Sequence, residues 1–210
     1  MIKNKVQAKV NPSAEEKIKE AARTVFHKKG YAATRTRDIA EEAGINLALL
    51  NYYYRSKEKL FEIIMAETLS GFLQSMVVVL NDEKTTLEKK VQEIASRYID
   101  QIMEEPEIPT FILTEIRNNP HALLKRMPVE QIVTNSFFFK QHQKSVQDGK
   151  ITEPNPLHFL MNLIGLIIFP FVAKPLLMGA RNLDISNFNR LMQERKKLIP
   201  IWVKAMMKAK

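Results

Sequence analysis

The chain has no cysteine, which excludes disulfides, thiolate metal sites and a cysteine nucleophile and points to a reduced, cytoplasmic setting. Glycine is sparse, 6 of 210 residues, and nowhere forms a phosphate-binding loop. The four histidines, His27, His121, His142 and His158, lack metal-ligand spacing. Carboxylates such as Glu104, Glu105 and Glu115 are expected on charged, solvated faces. Without a catalytic constellation, the expectation is no enzyme, no metal and no cofactor. Long hydrophobic runs are also missing. The most apolar stretch, 157–173, is interrupted by His158, Asn162 and Pro170 and falls short of the roughly 20 residues a membrane span needs. It reads as a buried helix, so no membrane partner is expected. The basic start, Met1-Ile2-Lys3-Asn4-Lys5, has no apolar segment behind it, unlike a secretory signal.

What is present is positive charge, unevenly placed. The net charge is +9, and residues 1–60 hold 13 Lys and Arg against 7 acids, so +6 of it lies there. A basic first part suits a polyanion, either nucleic acid or an anionic lipid surface, with an unpartnered solvated face as the plain alternative.

The same part spells out short helices. Ser13-Ala14-Glu15-Glu16 is a capping box, in which the serine hydroxyl and the glutamate carboxylate each satisfy the other's backbone N–H. Ile18, Ala21, Ala22, Val25 and Phe26 follow at helical spacing, and Gly30 offers a left-handed stop, predicting a helix over 14–29. A second helix is expected from an N-cap at Thr34 to Gly44, with Ile39, Ala40 and Ala43 inward. Asn46 caps a third, and Ile45 and Leu50 form a hydrophobic staple around its start. Two short helices joined at Ala43-Gly44-Ile45-Asn46 match a helix-turn-helix. From Lys57 onward helices are expected at 57–81, 86–104, 110–118, 121–126, 129–148, 156–179 and 186–208, with Pro170 and Pro200 kinking the last two. No alternating strand pattern appears. The fold expected is all-α.

Several fixed spacings then agree at once. Gly30-Tyr31-Ala32-Ala33-Thr34, Arg37-Asp38-Ile39-Ala40, Ala43-Gly44-Ile45-Asn46, Leu50-Asn51-Tyr52-Tyr53-Tyr54, Ser56-Lys57 and Leu60 together resemble the TetR family of bacterial transcriptional regulators, over about 14–61. The resemblance implies a helix-turn-helix DNA-binding domain at 1–56 and a helical-bundle ligand-binding and dimerisation domain at 57–210. It further implies a homodimer on a palindromic double-stranded DNA operator, released by a small molecule.

By the same resemblance, Thr34, Tyr53 and Lys57 contact the DNA backbone. A hydroxyl, a phenol and an ammonium can pin phosphates without reading sequence. Base readout falls to Thr36 and Arg37 and to Leu47, Ala48 and Leu49 at the start of helix three, with the cap Asn46 also among the DNA-binding residues. Arg37 suits a bidentate contact to guanine and the apolar residues suit thymine methyls. Successive helical residues point about 100° apart, so Tyr52, Tyr53 and Tyr54 cannot share one role. With Leu50 inward, Tyr54 is expected in the core, Tyr53 at the flank, and Ala48, Leu49, Asn51 and Tyr52 outward. Asn51 departs from the family, which often has a tyrosine there. It reaches an adenine edge or is simply solvated. Leu47 could instead pack against helix one.

In the remainder, the apolar helices carrying Leu157, Leu160, Ile164, Ile168, Phe188, Leu191, Leu198 and Trp202 suit the paired helices of a dimer interface, or else ordinary monomer core. Phe72, Met76, Tyr98, Ile102, Phe111, Phe137, Phe138, Phe139 and Met161 could line a pocket for a small apolar or aromatic effector, with Tyr98 as its polar handle. Residues of these types are more often simply core.

Overall fold

The computed structural model describes residues 13–121, 135–181 and 183–208, with the side chains of Phe72 and Arg181 outside that set. Among the described residues there are ten helices and no strand: α1 (Ala14–Ala33), α2 (Thr36–Glu42), α3 (Leu47–Tyr53), α4 (Lys57–Asn81), α5 (Leu87–Glu104), α6 (Ile108–Asn118), α7 (Phe137–Gln147), α8 (Pro156–Val172), α9 (Lys174–Arg181) and α10 (Ile185–Met206). The chain divides into two compact units, the first ending at Glu67 and the second beginning at Thr68. That division falls inside α4, later than the border expected before Lys57. The reason is that the first turns of α4 pack onto α1: the Phe61 and Phe26 rings meet edge to face with centroids 5.0 Å apart, and Glu67 accepts Lys19 at 2.6 Å and Arg23 at 2.7 Å.

In the first unit the capping box closes α1. Ser13 N–H donates to Glu16 Oε2 at 2.7 Å, and Glu16 N–H donates to Ser13 Oγ at 3.2 Å. Ile18, Ala21, Ala22, Val25 and Phe26 are buried along one stripe. At Gly30 the chain does not stop, as the sequence suggests, but kinks (φ 72°, ψ 172°) and adds a further turn to Ala33. Only glycine adopts that conformation without strain. Thr34 consequently ends α1 instead of starting α2. Its hydroxyl donates back to Gly30 O at 2.7 Å and its side chain is buried. Arg35 takes the N-cap position of α2, and the Asp38 carboxylate accepts its N–H at 3.0 Å.

The turn into α3 follows the hydrogen-bond pattern of a Schellman motif. Ile45 N–H reaches Ala40 O at 3.0 Å and Gly44 N–H reaches Glu41 O at 3.1 Å, with Gly44 at φ 65°. Asn46 Oδ1 then accepts Leu49 N–H at 2.8 Å and begins α3.

The second unit is built on one core. Val91, Ile94, Ala95, Tyr98, Ile99 and Ile102 of α5 meet Phe138 and Phe139 of α7, Phe159, Leu163 and Ile167 of α8, and Phe188, Met192, Ile199 and Val203 of α10. At the corner between α4 and α5 the fully buried Lys90 donates from Nζ to Asp82 O, to Thr85 O at 3.1 Å and to Thr85 Oγ1 at 2.7 Å. Burial pushes its ammonium pKa down.

Two expected helices differ in the second unit. Asn135 and Ser136 are bent, so α7 begins only at Phe137; the rest of the break, and the expected helix 121–126 beyond His121, lie outside the described residues. The single helix expected over 156–179 is two, bent by 61° at Ala173. Pro170 weakens the ladder, and Pro175 has no N–H to offer Phe171 O and crowds that carbonyl. Pro175 is the sequence signal for this break.

Candidate nucleic-acid interface

Seven residues of α3 span about 10 Å, close to the ~12 Å width of a major groove. The staple residue Leu50 is buried and the opposite side is open. Leu47, Ala48 and Asn51 are exposed, Leu47 at 38%. Leu49 differs from expectation: it is half-buried rather than turned fully outward. Arg37 on α2 is exposed, and Thr36, at the first position of that helix, is half-buried.

The three tyrosines take three environments. Tyr52 is 79% exposed, Tyr53 is 40% exposed and Tyr54 only 6%. The Tyr52 and Tyr53 rings meet edge to face, centroids 5.3 Å apart. Tyr54 reaches the core by a route that the helical wheel does not contain. The helix ends at Tyr53, and Tyr54 is already extended (φ −131°, ψ 104°), its N–H still on Leu50 O. Its hydroxyl donates to Glu15 Oε1 at 3.4 Å, and burial, then Glu15 and Glu67, push its pKa up to about 12.

Two residues assigned to phosphates are occupied within the fold. Thr34 is buried with its hydroxyl on Gly30 O. Lys57 donates from Nζ to Tyr31 O and to Thr34 O, both at 2.9 Å, and lies 4.2 Å from the centre of the Tyr31 ring. The ammonium thus holds the carbonyl end of α1, where a cation is favoured, and has one N–H left over. Asn46 likewise spends its amide oxygen on capping, leaving its NH₂ available.

Electrostatics keep the unit together around these positions. Asp38 sits 3.0 Å from Lys29, and the Arg35 N–H and then Lys29 hold its carboxyl pKa below the usual range. Lys19 and then Arg23 do the same for Glu67, against the opposing effect of burial. Burial, aided by Arg23, brings the His27 pKa down to about 4.

The apolar side chains of the second unit separate into two sets. Met76, Tyr98, Ile102, Phe111 and Phe138 are buried and Phe137 is half-buried, but Met161 is 59% exposed and does not face the interior. Phe72 lies outside the described side chains. The Tyr98 hydroxyl, the expected polar handle, shares a hydrogen bond with Ser75, and burial pushes its pKa up to about 12. Of the residues expected at a dimer interface, Phe188 is 1% exposed and belongs to the core. Leu157, Leu191 and Leu198 are exposed, while Leu160, Ile164, Ile168 and Trp202 are half-buried. Phe169, Leu176 and Ile201, which were not expected at an interface, are more exposed than any of these.

Comparison with known proteins agrees with this arrangement. Residues 18–64 match the family described as bacterial regulatory proteins, tetR family. The probable HTH-type transcriptional regulator YttP of Bacillus subtilis is 22% identical over 166 residues, covering 76% of this chain and 78% of that protein. The HTH-type transcriptional repressor NicS of Pseudomonas putida is 29% identical over 113 residues, 54% of this chain and 53% of that one. Among solved structures, a bacterial regulatory protein in the tetR family from Rhodococcus RHA1 superposes with a TM-score of 0.68 at 17% identity, over 95% of this chain and all of that one.

Proposed function

We infer that this member of the tetR family of bacterial regulatory proteins, a DNA-binding transcriptional regulator, is a cytoplasmic, homodimeric repressor that leaves a palindromic operator when a small apolar or aromatic molecule enters its second unit. The observation that carries the DNA half of this reading is the open face of α3. Leu47, Ala48, Asn51 and Tyr52 stand exposed behind a capped start, beside exposed Arg37. Arg37 reads guanine, the side chains of Leu47 and Ala48 meet thymine methyls, and Tyr53 gives its phenol to a phosphate. Leu49, half withdrawn, contributes at the edge. Thr34 and Lys57 act mainly by holding the carbonyl end of α1 in place, and Lys57 adds its charge to the phosphate-facing surface.

Dimerisation is supported by the exposed apolar stripe on α8 and α10. Exposed large side chains at Leu157, Met161, Phe169, Leu198 and Ile201 exceed the scattered singles of an ordinary surface. Repression is supported by NicS, which is named a repressor. No catalytic role is ascribed to any residue.

Selection of bound sequences from random duplex DNA with the purified protein tests the whole reading. It should return an inverted repeat whose half-sites lie about 34–36 Å apart or a helical multiple of that, rich in thymine under α3. Affinity that falls steeply with salt for all sequences alike would leave only phosphate attraction and sink operator recognition.

A further inference from the structure

The geometry points to a small-molecule subsite in the second unit, with His142 at its base, that takes a hydroxyl or ammonium head group carried on a short apolar tail. It deepens the ligand-released reading above, and rests on that reading only in making the occupant an effector.

His142 lies on α7 and is fully buried, yet neither ring nitrogen finds a hydrogen-bond partner within the described protein. An imidazole offers a donor and an acceptor when neutral, and buried groups of this kind nearly always find partners. The ring touches Phe159 edgewise, 5.6 Å between centres. It also forms part of the wall of a cavity of about 30 Å³, shared with Phe159, Glu153, Asn162, Met206 and Met207. Asn162 and Met206 are exposed and Glu153 partly so, so these three line the outer side and His142 the inner.

Size limits the occupant. Thirty cubic ångströms exceeds the ~10–15 Å³ that one water-sized group needs and is far below the roughly 300–1,000 Å³ of a site that swallows a drug-sized molecule. One head group fits, and its tail must leave past Met206 and Met207, whose unbranched side chains adapt easily.

Charge limits it further. Burial lowers the His142 pKa against the opposing pull of Glu153, so the ring is neutral at pH 7 and presents one lone pair. The Glu153 carboxylate, which already accepts the Asn155 N–H at 2.8 Å on one oxygen, can only accept. Two acceptors, the His142 lone pair and the Glu153 carboxylate, thus face the one inner donor, the remaining His142 N–H, so a head group that donates is matched, while a ligand carboxylate meets Glu153 as a like charge.

The test uses the full chain with three probes of equal tail length, 1-hexanol, hexylamine and hexanoate, followed by thermal shift and by NMR of the imidazole nitrogens. A saturable rise in Tm with hexanol or hexylamine, accompanied by movement of the His142 nitrogen resonances, is the expected result. The stronger of the two identifies the head group. His142→Leu should keep the helical signal and DNA binding but weaken probe affinity at least about tenfold, since the head group loses its partner. Should that variant fail to fold, Asn162→Ala, at an exposed position, is expected to weaken the same binding. Hexanoate binding as well as the other two, unchanged affinity in His142→Leu, or a single bound water indifferent to all three probes would each overturn the subsite. Probe binding without release of a bound operator supports the subsite and overturns its role as an effector site.

Discussion

The two units are held by different kinds of interaction. In the first, the corners are set by single atoms: the Ser13 hydroxyl, the Gly30 and Gly44 backbones, the Asn46 amide and the Lys57 ammonium each fix one helix end. In the second, long helices share one broad core, and apolar side chains remain outside it on α8 and α10. A small unit buries proportionally less surface, so it leans more on caps and turns. A large one tolerates looser corners, and here leaves apolar side chains exposed on α8 and α10.

The strongest challenge to that contrast removes bulk from the unit said to depend on corners. Phe26→Ala should cost about 3–5 kcal/mol and abolish DNA binding, with the helical signal of the second unit retained in circular dichroism. If Phe26→Ala costs less than Gly30→Ala, the corners outweigh burial in the first unit and the contrast is at its sharpest. Gly30→Ala forces a side chain into φ 72° and should cost about 1–3 kcal/mol, visible as a lower first transition in calorimetry. Asn46→Ala follows at about 1 kcal/mol and, on the proposed docking of α3, should weaken operator affinity beyond its effect on stability.

Ile201→Glu sharpens the other side of the comparison. At an exposed position it should change monomer stability by no more than about 0.5 kcal/mol, yet shift sedimentation from dimer to monomer. The gentlest probe is pH. The unfolded chain takes up a proton on His27 near 6.5, the folded chain only near 4. The unfolded state therefore binds more protons in that window, and stability is full above about pH 6.5 and lost as pH falls toward 4. His27→Gln should flatten this slope in urea titrations.

How much of this was legible in the sequence follows from how local each signal is. The capping box at Ser13 and the turn at Gly44-Ile45-Asn46 lie within a few consecutive residues, and both form as written. Helical spacing puts Tyr54 in the core only if α3 continues, whereas Tyr54 arrives there because α3 ends. Leu49 and Phe188 show the limit of periodicity, which finds a stripe but not which neighbour will cover it. The break at Ala173 needed two prolines to be weighed together. Lys57 shows a different limit: a resemblance can name a residue's partner in a complex, but only the fold reveals the carbonyls that it serves meanwhile. A lone histidine such as His142 gives no sign in sequence that it will be enclosed.

Lys90 gives the second unit a built-in chemical clock. An amine-acylating reagent meets Lys84 and Lys89, which are exposed, without any opening of the fold. The Lys90 amine, enclosed and committed to Asp82 and Thr85, reacts only while the corner between α4 and α5 is open. The ratio of those labelling rates, read by mass spectrometry, measures how often that corner opens, without any probe being attached to the protein.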